Sequence, residues 1–445
     1  MAFGQELSYA VRLPVVGRYF GQFCLLVAAL SLPPLLVALF SGEAAVALRY
    51  LLVMTALAGF GGLLVRLPRP EHVQMNEALT LAALVFLAIP LVMTIPMQAS
   101  GMRFVDALFE TVSAATTTGL STLATVEGKS RTFLFARAWM QWYGGLGIVV
   151  LSLALVIRPG LTAKRLLTTG PAEEDLVGGT RAHARRVLVV YLILTLAGLL
   201  LWVLLGGRPG EGLLYMMAAV STGGFAPADG SFADLGGWRL AWVASLACFA
   251  GALPLALYHT AWRQGWRCWV GDLQVRAMAV AAVLTCLAVA LCLFLVGGME
   301  WRQVLVHAPL MAISAQTTAG FSSMPPDQMD AAAKLVMIVV MAIGGGTGST
   351  AGGFKLFRLL ILLGLLRRFF LTSNTPQHTY LPARFGGRKI ADAEIEDALM
   401  VILVYFGVII LSWLPFLAYG HQPLDALFEV VSAIGTVGLS AGISG

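Results

Sequence analysis

Four short Thr-x-Gly segments are the residues of this sequence best suited to bind a ligand. Each follows a short apolar stretch with helical spacing. Glycine at the third position gives the backbone the freedom to turn successive carbonyl oxygens toward one line. An array of such oxygens replaces the hydration shell of a monovalent cation. The candidate residues are Thr117, Thr118 and Gly119; Thr222, Gly223 and Gly224; Thr318, Ala319 and Gly320; and Thr436, Val437 and Gly438.

The first and last segments belong to a longer repeated sequence. Residues 106–121 and 425–440 align without gaps and are identical at 12 of 16 positions. Weaker copies occupy residues 213–225 and 308–322. Copies spaced roughly a hundred residues apart indicate a chain built from internal repeats. We therefore expect four equivalent units, each contributing one Thr-x-Gly segment.

Composition places these units in a membrane. The chain has 445 residues, of which 58% are hydrophobic and 12% charged, whereas a soluble domain is roughly 25% charged. Apolar runs of about 20 residues, the length needed to cross a bilayer, recur along the sequence. The first run is followed at once by a second, so we interpret it as a span rather than a signal peptide. The sequence predicts an all-α, multi-pass membrane protein.

The basic residues indicate topology rather than a nucleic-acid partner. Of the 29 Lys and Arg residues, 20 fall in five places: Arg12 and Arg18, Arg66 and Arg69, and the stretches 158–186, 263–276 and 355–389. Alternating spans bring all five to one side, and an excess of Lys and Arg marks the cytoplasmic side. The N-terminus is therefore predicted to be cytoplasmic.

The predicted architecture is four membrane-pore-membrane repeats around a pseudo-four-fold pore, preceded by two N-terminal helices. The expected divisions are residues 1–70 for the N-terminal pair, 71–165 for repeat 1, 166–270 for repeat 2, 271–375 for repeat 3 and 376–445 for repeat 4. The expected spans are near residues 20–40, 45–65, 77–97, 132–157, 187–206, 239–262, 277–297 and 397–418. The sequence given ends at Gly445 before a last helix of repeat 4, which leaves open a fragment or an incomplete repeat.

A glycine-rich stretch interrupts the second span of repeat 3. Its residues are Gly344, Gly345, Gly346, Thr347, Gly348, Ser349, Thr350, Ala351, Gly352 and Gly353, followed by Lys355. Each glycine costs a helix up to about 1 kcal/mol relative to alanine, so we expect a mobile polar loop below the Thr-x-Gly segments that acts as a gate. A helix-packing kink is the alternative. A phosphate-binding loop is disfavoured because Phe354 stands where that motif requires lysine and no strand precedes it.

Other polar residues carry less specific signals. Asp106, Glu110, Asp425 and Glu429 are expected to cap helix starts or to attract cations. Arg137 is either a functional intramembrane charge or part of a structural ion pair. The five cysteines form no C-x-x-C pair, and the six histidines show no paired spacing. These patterns argue against a metal framework and against a membrane enzyme.

The Thr-x-Gly segments, the run Gln141-Trp-Tyr-Gly-Gly-Leu-Gly147, and Gly344–Gly353 with Lys355 together resemble the Trk/Ktr/HKT superfamily of potassium transporters. The resemblance covers about residues 10 to 445, and the two N-terminal spans favour its TrkH-type membrane subunits over the KtrB type. It implies K+ bound in a selectivity filter, an intramembrane gate, a homodimer, and a cytosolic TrkA-like nucleotide-binding regulatory subunit. In plant members, serine at the first filter glycine accompanies sodium transport, so Gly119 favours potassium.

The function expected from the residues and the resemblance is potassium uptake across the bacterial cytoplasmic membrane, with no enzymatic activity. Two departures from the family pattern stand out: Thr222 replaces a frequent asparagine, and the last helix, which normally carries a basic residue facing the pore, is absent. A poorly selective Na+/K+ pathway of the same architecture is the alternative. An inverted-repeat carrier is disfavoured because these repeats share one orientation. Channel-like flow and symport both remain open.

Overall fold

The computed structural model describes residues 10–70, 73–156, 176–373, 384–385 and 388–444, and this part of the chain is almost entirely helical. The first helices are α1 (Leu13–Leu30), α2 (Leu32–Phe40), α3 (Ala44–Leu64), α4 (Met75–Met97), α5 (Phe104–Ala115), α6 (Arg131–Val156), α7 (Leu176–Leu204), α8 (Pro209–Val220) and α9 (Trp238–Ala252). They are followed by α10 (Leu255–Gln264), α11 (Trp266–Gly271), α12 (Leu273–Leu295), α13 (Trp301–Gln316), α14 (Ala331–Ile343), α15 (Leu356–Ser373), α16 (Asp392–Ala418) and α17 (Pro423–Ile434). The two-residue strands Arg384–Phe385 and Arg388–Lys389 form an antiparallel pair.

Six helical segments of the described chain are long and apolar enough to cross a membrane. They are Leu13–Phe40, Ala44–Leu64, Asn76–Ser100, Ala184–Leu204, Leu273–Leu295 and Asp392–Ala418. These agree with the spans expected from the hydrophobic runs, although the first begins earlier than residue 20. The multi-pass, helical prediction is confirmed at this level.

The span expected near residues 239–262 was predicted wrongly as one helix. The structure has two helices there, α9 and α10, bent by 86° at Leu253–Pro254. Proline lacks the N–H that a continuing helix needs, and its ring disfavours helical geometry in the residue before it. Leu253 accordingly adopts an extended conformation with φ −85° and ψ 153°.

The contacts divide the chain into two compact units. The first contains α1 to α4, the start of α5 and Lys129–Ala136. Here α1 and α3 pack through glycine, because a Cβ at Gly21 would lie 2.6 Å from Leu64 Cβ and one at Gly61 would lie 2.7 Å from the Gly21 carbonyl oxygen. Small residues allow this close approach between membrane helices. Arg12 Nε lies 2.6 Å from Glu77 Oε1, which ties the start of α1 to α4.

The second unit contains Ser113–Gly128, Arg137–Val150 and everything described from α7 onward. Part of its core is a run of aromatic rings. Trp202 stacks on Tyr215 with ring centroids 5.1 Å apart, and Phe321 lies 5.8 Å from Tyr215 and 4.8 Å from Phe232. The Tyr215 hydroxyl donates to the carbonyl oxygen of Ser231 at 2.9 Å. All four Thr-x-Gly segments belong to this unit. The expected repeat boundaries at residues 165/166 and 375/376 lie outside the described residues.

Candidate cation-binding site

The four Thr-x-Gly segments share an unusual backbone conformation. Thr117, Thr222, Thr318 and Thr436 have φ values of 57°, 52°, 53° and 51°. Gly119, Gly224, Gly320 and Gly438 have φ values of 82°, 77°, 75° and 93°. A positive φ is uncommon for any residue other than glycine and is an outlier for a β-branched one. In the described part of the chain six non-glycine residues have positive φ, and four of them are these threonines.

Hydrogen bonds at the ends of the preceding helices explain this conformation. At the end of α5, Thr117 N–H donates to the Ala114 carbonyl at 3.1 Å, and Thr118 N–H donates to the Ser113 carbonyl at 2.8 Å. This pair of bonds is the Schellman motif, which requires a left-handed residue where glycine is usual. The same pair ends α8, α13 and α17, with threonine at the left-handed position each time. Such conformations cost about 1–3 kcal/mol each and concentrate at functional sites.

The segments meet one another in a closed order. A Cβ added at Gly119 would collide with the carbonyl oxygen of Gly223, and one at Gly224 with that of Ala319. One at Gly320 would collide with the Val437 carbonyl, and one at Gly438 would lie 2.5 Å from the Thr118 carbonyl oxygen. The third-position glycine of each copy therefore lies against the middle carbonyl of the next copy. The fourth copy returns to the first, so the contacts form a ring.

Each segment is anchored by the apolar residue that follows it. Leu120, Phe225, Phe321 and Leu439 are all buried, at 5%, 4%, 0% and 1% exposure. The four third-position glycines, by contrast, are only partly buried. The backbone is thus fixed from behind by packed side chains, while the glycines border accessible space.

Polar side chains hold the segments in register. Ser113 Oγ donates to the Leu120 carbonyl at 2.6 Å, and Ser432 Oγ accepts from Gly438 N–H at 3.1 Å. At the second segment, Gln141 of α6 is fully buried. Its amide contacts both sides of Gly224: Nε2 donates to the Gly223 carbonyl at 2.5 Å, and Oε1 accepts from Phe225 N–H at 3.1 Å.

Arg137 lies behind the same segment rather than in open space. It is 3% exposed, and its guanidinium carbon lies 3.8 Å from the centre of the Phe225 ring. This is cation–π geometry. Beyond the segment, Asp229 accepts hydrogen bonds from Thr125 Oγ1 and Val126 N–H, both at 2.6 Å. The loops that follow the first and second segments are thereby joined.

The four acidic residues divide into two kinds. Asp106 pairs with Arg103 at 2.8 Å and Asp425 pairs with Lys334 at 2.8 Å, and both carboxylates lie in the first turns of their helices. Glu110 and Glu429 are buried one turn later. Glu429 Oε1 accepts from Ser440 Oγ at 2.6 Å and from Ser444 N–H at 2.8 Å. The aspartates thus lie near the positive ends of their helix dipoles and are paired with cations, whereas Glu429 holds the chain that leaves the fourth segment.

The glycine-rich stretch forms a buried loop that folds back on the end of α14. Phe354 N–H donates to the Ala342 carbonyl and Lys355 N–H to the Ile343 carbonyl, both at 2.9 Å. Lys355 has φ 77°, and its Nζ donates to the Ala351 carbonyl. The loop is therefore closed by hydrogen bonds across its base, which hold its two ends together.

The loop touches two Thr-x-Gly segments directly. Gly352 N–H donates to Thr318 Oγ1 at 2.6 Å, and Gly353 N–H donates to the Gly435 carbonyl at 3.2 Å. A Cβ at Gly352 would collide with the Gly435 carbonyl oxygen. Glycine is therefore needed where the loop closely approaches the third and fourth segments. The loop lies on the side of the ring where the helices that precede the segments end.

The bent α9–α10 pair and the end of α8 also hold the loop. Thr350 Oγ1 lies 3.0 Å from the carbonyl oxygens of both Val220 and Gly251. Gly346 N–H donates to the Ala252 carbonyl at 2.9 Å, and Leu255 N–H donates to the Gly348 carbonyl at 3.1 Å. The break in α9–α10 therefore exposes backbone groups that the loop satisfies.

The sequence signals located the segments and the loop but missed the residues that hold them. Gln141 was noted only as the first residue of the run 141–147, and no contact was expected of it. Gln316 belongs to no recognisable motif, although its Nε2 donates to the Gly344 carbonyl at 2.7 Å. Ser113 and Ser432 occupy equivalent positions in the internal alignment, one turn before the Thr-x-Gly segment. That repetition was the sequence signal that could have identified them as residues that hold the segments. Among the described residues, no three His, Cys, Asp or Glu side chains are grouped as metal ligands.

Comparison with known proteins agrees with this architecture. Residues 69–445 match the model of the TrkH family, described as cation transport proteins. An uncharacterized cation transporter of Methanocaldococcus jannaschii is 26% identical over 387 residues, covering 86% of this chain and 79% of the relative. The Trk system potassium uptake protein TrkH of Halomonas elongata is 24% identical over 440 residues, covering 97% of this chain and 91% of the relative.

The fold resembles a solved transporter as well. The crystal structure of the potassium transporter TrkH from Vibrio parahaemolyticus superposes with a TM-score of 0.83 at 23% identity, covering 96% of this chain and 91% of that one. Because the family match spans well over half of the sequence, this chain belongs to the TrkH family of cation transport proteins, which are multi-pass membrane transporters and not enzymes.

Proposed function

We propose that this chain mediates potassium uptake through a pore lined by the four Thr-x-Gly segments. The observation that carries the proposal is the closed ring, in which four segments of one backbone conformation contact each other in the order first, second, third, fourth, first. In this proposal the ring surrounds a pseudo-four-fold axis and acts as the selectivity filter. Four membrane-pore-membrane repeats supply the segments, and the N-terminal helices lie outside the repeats.

Potassium is the proposed ion for two reasons. Related proteins, including the Halomonas TrkH, are potassium uptake proteins. Backbone carbonyl oxygens also suit a weakly hydrated monovalent cation, because they replace its water without a full negative charge. Gly119 supports this choice, since a side chain there would collide with the Gly223 carbonyl. In the proposal K+ is bound by backbone oxygens and threonine hydroxyls. A poorly selective Na+/K+ pathway is the alternative.

The loop from Gly344 to Lys355 is the proposed gate. Its contacts with Thr318 and Gly435 support a position directly beneath the filter. Its ends are linked across their base, so the loop can move as a unit when the bonds from Thr350 and Gly346 break. Opening would then be a change in hydrogen-bonded partners rather than unfolding.

The resemblance supports the remaining parts of the proposal. We place the chain in the bacterial cytoplasmic membrane with its N-terminus in the cytoplasm, in accord with the distribution of Lys and Arg. A homodimer and a cytosolic TrkA-like nucleotide-binding subunit are the proposed partners. Neither symport nor channel-like flow is preferred.

The test is uptake of labelled Rb+ into proteoliposomes, in competition with unlabelled K+ or Na+. We expect K+ to compete strongly and Na+ weakly. Equal competition by the two ions would favour the poorly selective alternative. Absence of uptake in correctly folded protein, both alone and with a TrkA-like subunit present, would contradict the proposed function.

A further inference from the structure

The second Thr-x-Gly segment is held differently from the first and fourth. Those two are held by a serine one turn back in their own helix, Ser113 or Ser432. The equivalent position before the second segment is Ala218, which has no hydroxyl. This segment must therefore obtain its polar support from elsewhere, because buried backbone groups need partners.

Gln141 supplies that support from α6. Its side-chain amide donates to the Gly223 carbonyl and accepts from Phe225 N–H, so that one planar group spans the Gly224 turn. The approach is possible because α6 has glycines on this face: a Cβ at Gly144 would collide with the Ala115 carbonyl, and one at Gly145 would lie 3.0 Å from Ser221 Cβ. The amide is fully buried, so water cannot replace it.

The amide also explains a sequence difference among the four copies. The middle residue of the segment is Thr118, Ala319 or Val437 in the other copies, but glycine in the second. A Cβ at Gly223 would lie 2.5 Å from Gln141 Cδ. The space that a middle side chain would take is occupied by Gln141. In the second copy, therefore, a glutamine from α6 takes the place of the serine in the segment's own helix. Ala218 lacks the hydroxyl, and Gly223 leaves the space that the Gln141 amide occupies.

We infer that Gln141 is a positioning residue that fixes the direction of the Gly223 carbonyl and thereby contributes to ion selectivity. The inference rests on the proposed function, because the Gly223 carbonyl belongs to the ring and faces Gly119. Without the amide, this carbonyl can rotate and the ring can contract around a smaller ion. Loss of the amide should therefore reduce the discrimination between K+ and Na+ more than it reduces transport.

The first test replaces Gln141 with methionine, which has a similar length but neither an N–H donor nor an amide oxygen. In the Rb+ uptake assay, the ratio of Na+ to K+ concentrations needed for half-inhibition should fall about tenfold, as expected for a lost hydrogen bond of about 1.4 kcal/mol.

A matched control is Ser314→Ala. Ser314 occupies the serine position of the third copy, and its Oγ has no hydrogen-bond partner in the described part of the chain. Its removal should leave the competition ratio unchanged. Gln141→Glu is a second variant: it retains an acceptor for Phe225 N–H and loses the donor to Gly223, so it should also lower the ratio.

A rescue experiment distinguishes a role of Gln141 in positioning the Gly223 carbonyl from a role in general packing. Introducing Ala218→Ser into Gln141→Met supplies the serine that the first and fourth copies use, and should restore part of the ratio. Size-exclusion elution and thermal unfolding in detergent identify variants that fold. Folded Gln141→Met and Gln141→Glu chains with a wild-type ratio would overturn the role of Gln141 alone. A wild-type chain that does not prefer K+ would instead overturn the proposed function, and this role with it.

Discussion

At the scale of single residues, the threonines of the four segments show a conflict between local preference and tertiary need. Glycine would occupy the left-handed position at lower cost, yet threonine is present in all four copies. Three of the four hydroxyls make hydrogen bonds that glycine could not make. Thr117 and Thr222 donate to the preceding carbonyl at 2.7 Å, and Thr318 accepts from the glycine-rich loop. Replacing these threonines with glycine would relieve the strain but would remove these hydrogen bonds.

Gly119→Ser should reduce discrimination against Na+. The added side chain meets the Gly223 carbonyl and adds strain at φ 82°. We expect the Na+/K+ competition ratio for Rb+ uptake to fall about tenfold or more, from displacement of one carbonyl.

Gly128→Ser is the control for that prediction. Gly128 has nearly the same φ, 81°, but an added Cβ there meets nothing within 4 Å. This variant carries the backbone strain without the contact and should keep the wild-type ratio. Equal losses in both variants would mean that strain, and not the ring contact, controls selectivity.

At the scale of elements, the glycine-rich loop and the bent α9–α10 pair complete each other. A broken helix leaves carbonyl and N–H groups without intrahelical partners. Here the loop provides them through Thr350, Gly346 and Gly348. Each element supplies hydrogen-bond partners where the other is irregular, so movement of the loop requires the bonds between them to break.

Thr350→Val should raise transport if the loop is a gate. Valine preserves the shape of threonine but loses the hydroxyl shared by Val220 and Gly251. A loss of about 1 kcal/mol would shift the loop several-fold toward its open position. The initial rate of Rb+ uptake measures this shift.

Thr347→Val tests whether the effect is specific. Thr347 lies in the same loop, and in the described part of the chain its backbone N–H, not its hydroxyl, makes the hydrogen bond to Gln274. This variant should transport at the wild-type rate. Slower uptake in Thr350→Val would argue against a gate held shut by this residue.

At the scale of the whole molecule, polar contacts outside the ring join one copy to the next. Lys334 at the start of α14 pairs with Asp425 at the start of α17, and Lys334 also donates to the Asp327 carbonyl at 3.2 Å. Asp229 joins the loops of the first two copies. These contacts stabilise the relative positions of neighbouring copies.

Lys334→Met should destabilise the folded chain by about 2 kcal/mol, because it leaves the Asp425 carboxylate, which is 29% exposed, without its largely buried cation. The double variant Lys334→Met/Asp425→Leu should recover most of that loss. Chemical unfolding in detergent measures both. Arg103→Met is the matched control: its pair with Asp106 is exposed, at 87% for the arginine side chain, and should contribute less than about 1 kcal/mol. An equal loss of unfolding free energy in Lys334→Met and Arg103→Met would mean that burial of the Lys334–Asp425 pair does not increase its contribution to stability.

The Asp229 contact should make stability depend on pH. Burial on its own would raise the pKa of Asp229, but hydrogen bonds from Thr125, Val126 and Glu127 and the charge of Arg137 lower that pKa below its ordinary value of 3.8. A carboxyl with a lowered pKa stabilises the fold above its unfolded pKa, and this contribution disappears as the pH falls through the folded pKa.

The measurement is the Tm of wild-type and Asp229→Asn protein in detergent between about pH 7 and about pH 3. Wild-type protein should have the higher Tm at neutral pH, and the difference should shrink toward the acidic end. A difference that is the same at every pH would mean that the carboxylate charge does not contribute.

The amino-acid sequence alone identified the repeated sequence, most of the helical spans, the Thr-x-Gly segments and the glycine-rich stretch. Apolar runs, Thr-x-Gly repeats and a glycine cluster are local patterns, and local patterns specify whether a stretch is helix, turn or loop. The family resemblance also rested on such stretches, and the match over residues 69–445 confirmed it.

Only the tertiary structure decided which residues hold the segments and how they meet. Gln141 contacts Gly223, and Thr350 contacts Val220, although the residues of each pair are far apart in sequence. No local sequence pattern therefore predicts either contact. The bend at Pro254 is stable because the loop satisfies the freed backbone groups, which is a property of two elements together. The closed order of the four segments is likewise a matter of packing, since contacts between distant copies form only when the whole unit folds.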